Sequence, residues 1–248
     1  MEGMVSEDMT TRPYVGSELA LVSRYYNWKT YYAEMVRPYL GPCVLEVGAG
    51  IGSVTQVLCE GIFERWVCLE PDPTMSATLR SCIQDGHLPK CCEVVTGALA
   101  DLPQRDMFDT ILYIDVLEHI EHDREESATA AAFLKPGGRL VVLAPAHQWL
   151  YSPFDRGLGH YRRYSMRSLS AVIPALFECV ELKYLDSAGM LASLGNRLVL
   201  RSTMPTPAQL AIWDRVLVPL SRRIDPLLRY RVGKSVFGVW RKKGHANR

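Results

Sequence analysis

A doubly wound α/β fold, a parallel sheet with helices on both faces, is what this sequence predicts, on three observations. Short apolar runs alternate with stretches able to form helices. A glycine turn, Gly48-x-Gly50-x-Gly52, separates the first run from the helical stretch after it. Lys135-Pro136-Gly137-Gly138 puts proline and glycine at the second and third positions of a type II turn that delivers the chain into another run.

The runs have the length and β-branched content of buried strands: Cys43 to Val47, Trp66 to Glu70, Cys91 to Val95, Thr110 to Ile114 and Arg139 to Ala144. Two further strands are expected at Glu178 to Leu185 and Ser235 to Arg241. Between them, about Ala188 to Gly233 reads as helical, broken into pieces by Pro205, Pro207, Pro219 and Pro226. Before the first strand, about Glu18 to Tyr39 reads as an aromatic-rich helical prelude.

With 248 residues, 48% of them hydrophobic and 22% charged, the chain is long enough for one well-buried domain with an appendage. No stretch has the roughly 18 unbroken apolar residues of a membrane-spanning helix, and MEGMVSEDMT lacks the plan of a signal peptide, so a cytoplasmic location is expected. Seven cysteines without a C-x-x-C suggest neither a disulfide framework nor a zinc knuckle; Cys43 and Cys68 are read as small core residues. The net charge of +1 hides an asymmetry: Met190 to Arg248 holds 12 Lys/Arg against 2 Asp/Glu, and the rest of the chain holds 16 against 25. Such a basic segment either meets an anionic partner or rests on an acidic body.

A glycine turn between strand and helix lets a ligand approach the main chain and meet the helix N-terminus. Glu70, 18 residues beyond Gly52, can accept hydrogen bonds from ribose hydroxyls. Ser53 stands where a dinucleotide fingerprint would place its third glycine, and Glu46 beside the turn suits a cationic ligand better than a pyrophosphate.

Glu46-Val47-Gly48-Ala49-Gly50-Ile51-Gly52, Glu70, "FDTILYIDVLEHI" from Phe108 and "LKPGGRLVV" from Leu134 together resemble a class I S-adenosylmethionine-dependent methyltransferase, of a bacterial small-molecule subgroup. The resemblance implies a Rossmann-like, seven-stranded, mostly parallel sheet with an antiparallel last strand. It implies S-adenosylmethionine as cofactor and S-adenosylhomocysteine as product. Glu46, Gly48, Ala49, Gly50 and Gly52 would hold the methionine end, Glu70 the ribose, and Pro71, Ala98 and Leu99 would lie near the adenine, with Asp115 beside the cofactor. Gly97-Ala98 stands where family members often have an aspartate followed by a small residue.

Methyl transfer then needs an aligned acceptor and, where that acceptor must lose a proton, a base. Asp115, His119, His147 and His160 are the candidates. "PAHQWLYSPFDRGLGHYRRYS" begins where a parallel sheet exposes its ligand edge, and Trp149, Tyr151, Arg162, Arg163 and Tyr164 within it, with Tyr25 and Trp28 of the prelude, are candidate acceptor-binding residues. Each has a plainer reading: His119 orients or caps the helix after the fourth strand, Arg162 and Arg163 pair with Asp155, and the prelude aromatics face the core. No metal is expected, because Glu118, His119 and His122 do not share a helix face.

The organisation expected is a helical lid over residues 1–40, the cofactor-binding domain over 41–187 and 234–243, and a basic helical cap over 188–233. The function expected is methyl transfer to oxygen or nitrogen, or carbon, of a small organic acceptor in natural-product or surface-saccharide biosynthesis. The alternatives are non-methylating use of the same cofactor, as by a cyclase or lyase, and nucleic-acid methylation; against the latter, "YIDVLEH" follows the fourth strand rather than an Asn-Pro-Pro-Tyr-like element. The basic segment suggests contact with an anionic substrate, through Arg222 and Arg223, or with a membrane surface. A monomer or a homodimer is compatible with the chain.

Overall fold

A computed structural model describes residues 25–61, 63–102, 108–195 and 206–244. Expectations that fall on residues 1–24, including the start of the prelude, and on Pro205 lie outside the described residues.

The seven strands are β1 (Cys43–Val47), β2 (Arg65–Glu70), β3 (Cys92–Thr96), β4 (Phe108–Ile114), β5 (Leu134–Pro145), β6 (Phe177–Leu185) and β7 (Ser235–Lys242). They form one sheet in the order β3-β2-β1-β4-β5-β7-β6. The pairs among β1 to β5 are parallel, and β7 runs antiparallel to both β5 and β6. The order reverses between β1 and β4, which opens a crevice at their carboxyl ends.

Successive side chains of a strand face opposite sides, so each strand feeds two cores. Val44, Trp66, Cys68, Leu112 and Val141 face one side, where α1 (Tyr26–Val36) supplies Tyr31, Tyr32 and Val36, and α2 (Thr55–Leu58) supplies Leu58. Leu45, Val67, Ile111, Tyr113 and Val142 face the other, against Ala130 and Phe133 of α4 (Asp123–Phe133). Between β2 and β3 lies α3 (Pro73–Gln84), whose N-cap Asp72 accepts from the N–H groups of Thr74 and Met75. Glu46 shares its parity with Val44 and therefore sits under α1 and α2. Cys68 is buried as expected; Cys43 is half-buried, its Sγ 3.6 Å from Glu64 Oε2.

The proline-glycine turn has the predicted conformation, with Gly137 at φ 80°. It lies inside the span of β5 rather than before it, because Leu134 already pairs with Phe108 ahead of a register shift to Thr110 and Arg139. After β5 come α5 (Pro153–Gly157) and α6 (Met166–Val172), then β6.

The segment between β6 and β7 is helical: α7 (Ser187–Gly195), α8 (Pro207–Ile212), a π turn (Trp213–Leu217) and α9 (Val218–Leu227). Prolines begin α8 and α9 as expected, but the backbone stays helical from α8 through α9. The π turn, in which Val218 N–H donates to the carbonyl of Trp213, lets Pro219 follow without a break. Pro226 lies near the end of α9 without ending it.

Acids seat this cap. Asp225 is fully buried and accepts from Tyr31 Oη at 2.7 Å, from the N–H groups of Asp186 and Ser187, and from the Ser187 hydroxyl. Asp214 accepts from the N–H groups of Asn27 and Trp28 at the start of α1. These are the 2 acidic residues of Met190 to Arg248, and both are spent on α1 and its surroundings. Arg222 adds an exposed pair with Glu34.

Candidate functional site

The crevice begins where β1 ends. Gly48 and Ala49 donate their N–H groups to the Leu69 carbonyl at 2.8 and 3.1 Å, tying the turn to β2. Gly48, Gly50 and Gly52 have φ of 67°, 57° and 84°, a region that glycine enters at no steric cost. A Cβ on Gly48 would lie 2.7 Å from Val116 Cγ2, and one on Gly52 would lie 2.8 Å from Leu79 Cδ2. The turn is therefore closed to side chains at Gly48 and Gly52, and its N–H groups tie it to β2 and Glu70.

Glu46, 2% exposed, lies below the turn. Its Oε2 accepts from Thr55 Oγ1 at 2.7 Å and Trp66 Nε1 at 2.8 Å, and its Oε1 has no partner among the described residues. Burial pushes this carboxyl up to about 7, against the pull of the two hydrogen bonds. Glu70 closes β2: its Oε2 accepts from Gly50 N–H at 2.8 Å and its Oε1 from Asp72 N–H at 2.9 Å. Desolvation raises its pKa too, and each oxygen keeps lone-pair capacity. Pro71 and Ala98 are exposed beside it, whereas the Leu99 side chain is 1% exposed and belongs to the core. Asp101 folds back on this turn, its Oδ2 accepting from Ala98 N–H at 2.7 Å.

Across the crevice, Asp115 follows β4 with φ 54°, its N–H donating to the Leu143 carbonyl. The carboxylate is crowded by protein yet open to a ligand. Desolvation raises it to about 6, moderated by His160 and Lys234. The turn Leu117–His119 then carries Glu118, 0% exposed with neither oxygen hydrogen-bonded among the described residues, and His119. The His119 and His160 rings meet edge to face at 4.5 Å between centroids. Burial, and then His160, lower His119 to about 4.

The segment after β5 places His160. Tyr161 N–H donates to the Glu118 carbonyl, and Ala146 bridges to Tyr164. Asp155, fully buried, accepts from His160 Nδ1 at 3.1 Å, from Arg163 Nε at 2.7 Å and from Ser152. Burial alone would raise its pKa; the bonds from His160 and Arg163 hold it well below the usual range.

The methyltransferase-domain family matches residues 45–142, the stretch that carries the glycine turn, Glu70 and Asp115. Residues 45–142 form a methyltransferase domain. The demethylmenaquinone methyltransferase of Tropheryma whipplei (strain Twist) is 31% identical over 160 residues, covering 61% of this chain and 62% of that protein. The chain thus spans less than two thirds of that relative's length. Geranyl diphosphate methyltransferase in complex with S-adenosylmethionine has a TM-score of 0.63 at 13% identity, with 95% of this chain and 93% of that one covered. The cyclase SpnF has a TM-score of 0.61 at 16% identity, with coverage of 87% and 82%. These two likenesses show the fold.

S-adenosylmethionine is the cofactor of this methyltransferase domain, and the residues present fit it. The positive-φ glycine turn is tied to Glu70 at the crevice, and the unpartnered Oε1 of Glu46 supplies negative potential for a cation. The fold brings Asp115, His119 and His160 together at one end of the crevice. It engages His147 elsewhere: Nε2 lies 2.9 Å from the Gly233 carbonyl, and the ring rests 4.7 Å from that of Tyr184.

Most of the expected acceptor-binding residues hold the protein's own scaffold. Tyr25 and Trp28 are buried against Trp213, at 5.7 and 5.9 Å between ring centroids. Tyr151 Oη donates to the His160 carbonyl, Arg162 pairs with Asp123, Arg163 pairs with Asp155, and Tyr164 Oη donates to Asp123. Trp149 stays 48% exposed. The sequence reading missed Lys234, whose Nζ lies 3.7 Å over the Trp213 ring and 3.4 Å from Asp186 Oδ2, and Tyr32, whose hydroxyl is kept protonated by burial and by Asp115 and Glu46. Tyr32 stands four residues after Trp28, one helical turn on, a signal that marked a buried face but not what lay beneath it.

Proposed function

We propose that the chain transfers the sulfonium-bound methyl group of S-adenosylmethionine to oxygen or nitrogen of a small organic acceptor. The observation that carries this reading is Asp115, an accessible carboxylate held at the carboxyl end of β4 with Lys234 and His160 near it. Bound there, the cofactor supplies an activated methyl group that needs only an aligned lone pair behind it. Glu46 and Glu70 bind and orient; α1 and the cap keep water from the reacting end. The match to a demethylmenaquinone methyltransferase supports a small organic acceptor rather than nucleic acid.

Calorimetry is expected to give one site per chain for S-adenosylmethionine and for S-adenosylhomocysteine, at micromolar Kd. Removing a carboxylate that receives ribose hydroxyls costs about 1.5–3 kcal/mol, so Glu70→Ala should weaken both by roughly 10- to 100-fold. Unchanged affinity in that variant would refute the site. S-adenosylhomocysteine should accumulate only with an acceptor present; methylthioadenosine formed from the cofactor alone would favour the cyclase reading instead.

A further inference from the structure

We propose that Glu118, His119 and His160 form a binding site for a divalent transition-metal ion at the acceptor end of the crevice. One ligand atom from each lies within 4.8 Å of the others. Bonds of about 2.0–2.2 Å to zinc need donor atoms roughly 3.4 Å apart, a contraction that rotation of the side chains supplies. Glu118 points to the ligand: it is 0% exposed, and both its oxygens lack a partner among the described residues. A carboxylate in that state is costly unless a cation meets it. Arg163 is the protein cation acting on it, but its guanidinium is already held by both oxygens of Asp155.

The surroundings have the form of a metal site's outer shell. Asp155 accepts from His160 Nδ1, which fixes the ring and leaves Nε2 for an ion. Local spacing hides this set because its third member is not His122 but a histidine 41 residues after His119, brought over by the bond from Tyr161 N–H to the Glu118 carbonyl. Two imidazoles and one carboxylate select zinc-like or manganese-like ions over magnesium, which prefers oxygen donors. Three protein ligands leave a coordination position for substrate.

The ion's role rests on the methyl-transfer reading, whereas its binding does not. An acceptor hydroxyl in the open position would lose its proton to solvent more readily. The oxygen electron pair would then form the O–C bond as the S–C bond breaks, leaving S-adenosylhomocysteine.

The test is titration of chelator-treated protein with zinc, manganese and magnesium chlorides, with cobalt(II) absorption as an optical readout and S-adenosylhomocysteine titrated in parallel. One zinc ion per chain is expected, with affinity at least 100-fold weaker in Glu118→Gln and His160→Ala and unchanged in the exposed control His87→Ala. Magnesium should bind at least 100-fold more weakly than zinc. S-adenosylhomocysteine affinity retained in both variants would show that they fold and that only the ion is lost. Absence of stoichiometric binding to the wild type overturns the site. So does zinc binding that survives in both variants and disappears in Cys59→Ser, which would place the ion on the Cys59, Cys91 and Cys92 thiols. Zinc binding as expected without any S-adenosylhomocysteine binding would leave the site standing and sink the proposed function.

Discussion

Asp155→Ala is expected to lower the free energy of unfolding by about 3–5 kcal/mol, the range for removing one partner of a buried ion pair. The carboxylate is 0% exposed and takes two bonds from Arg163, one from His160 and two from Ser152. Truncation leaves the Arg163 guanidinium, whose side chain is 15% exposed, with the Ala146 carbonyl at 3.4 Å as its remaining protein acceptor among these bonds. The penalty comes from that stranded charge, so Asp155→Leu combined with Arg163→Met should recover most of it. Urea unfolding of the wild type and the two variants decides the matter. A loss below about 1 kcal/mol in the single variant would mean that water reaches the pair and that its folded geometry carries little energy.

Glu46→Gln should change how stability depends on pH. The carboxyl titrates at about 7 when folded, against 4.5 when free. A raised carboxyl pKa means that the unfolded chain ionises first as pH rises. Its contribution is therefore most favourable below 4.5, declines between 4.5 and about 7, and stays lost above that. At 2% exposure the shift corresponds to about 3 kcal/mol. Unfolding free energies of the wild type in urea should fall across this window by that much relative to Glu46→Gln, whose amide does not titrate. The same ionisation prepares the crevice for a cation, so S-adenosylmethionine affinity should rise with pH through 7 in the wild type and vary less in the variant. Parallel stability curves for the two proteins would show that Glu46 is already charged at low pH.

The parts of the site legible in the sequence are those fixed by neighbours along the chain. A strand, a glycine turn and a helix place Glu46, Gly48 and Gly50 by local geometry alone, and parallel pairing with β2 puts Glu70 beside them. Asp115 follows for the same reason at the end of β4. What stayed hidden depends on long-range pairing: Asp214 with Trp28, Asp225 with Tyr31, Lys234 with Asp186 and Trp213, and His160 with His119. No spacing rule brings those residues together. The segment from Pro145 to Ser165 shows the converse limit. Its aromatic and charged residues suited an acceptor wall, but a hydroxyl or guanidinium that binds protein is written with the same letters as one that binds a ligand. Tyr151, Arg163 and Tyr164 are committed to His160, Asp155 and Asp123.

The seating of the cap has an electrical consequence. Because Asp214 and Asp225 are both consumed at its inner contact, the charged side chains that residues 206–233 turn outward, Arg215, Arg222, Arg223, Arg229 and Arg231, are all positive. The cap is thus a polarised plate, acidic where it grips the body and basic where it meets solvent. A negatively charged acceptor diffusing toward that plate is drawn in over roughly 8–10 Å at physiological salt, so encounter should quicken as ionic strength falls, with no direct contact between the arginines and the reacting atoms.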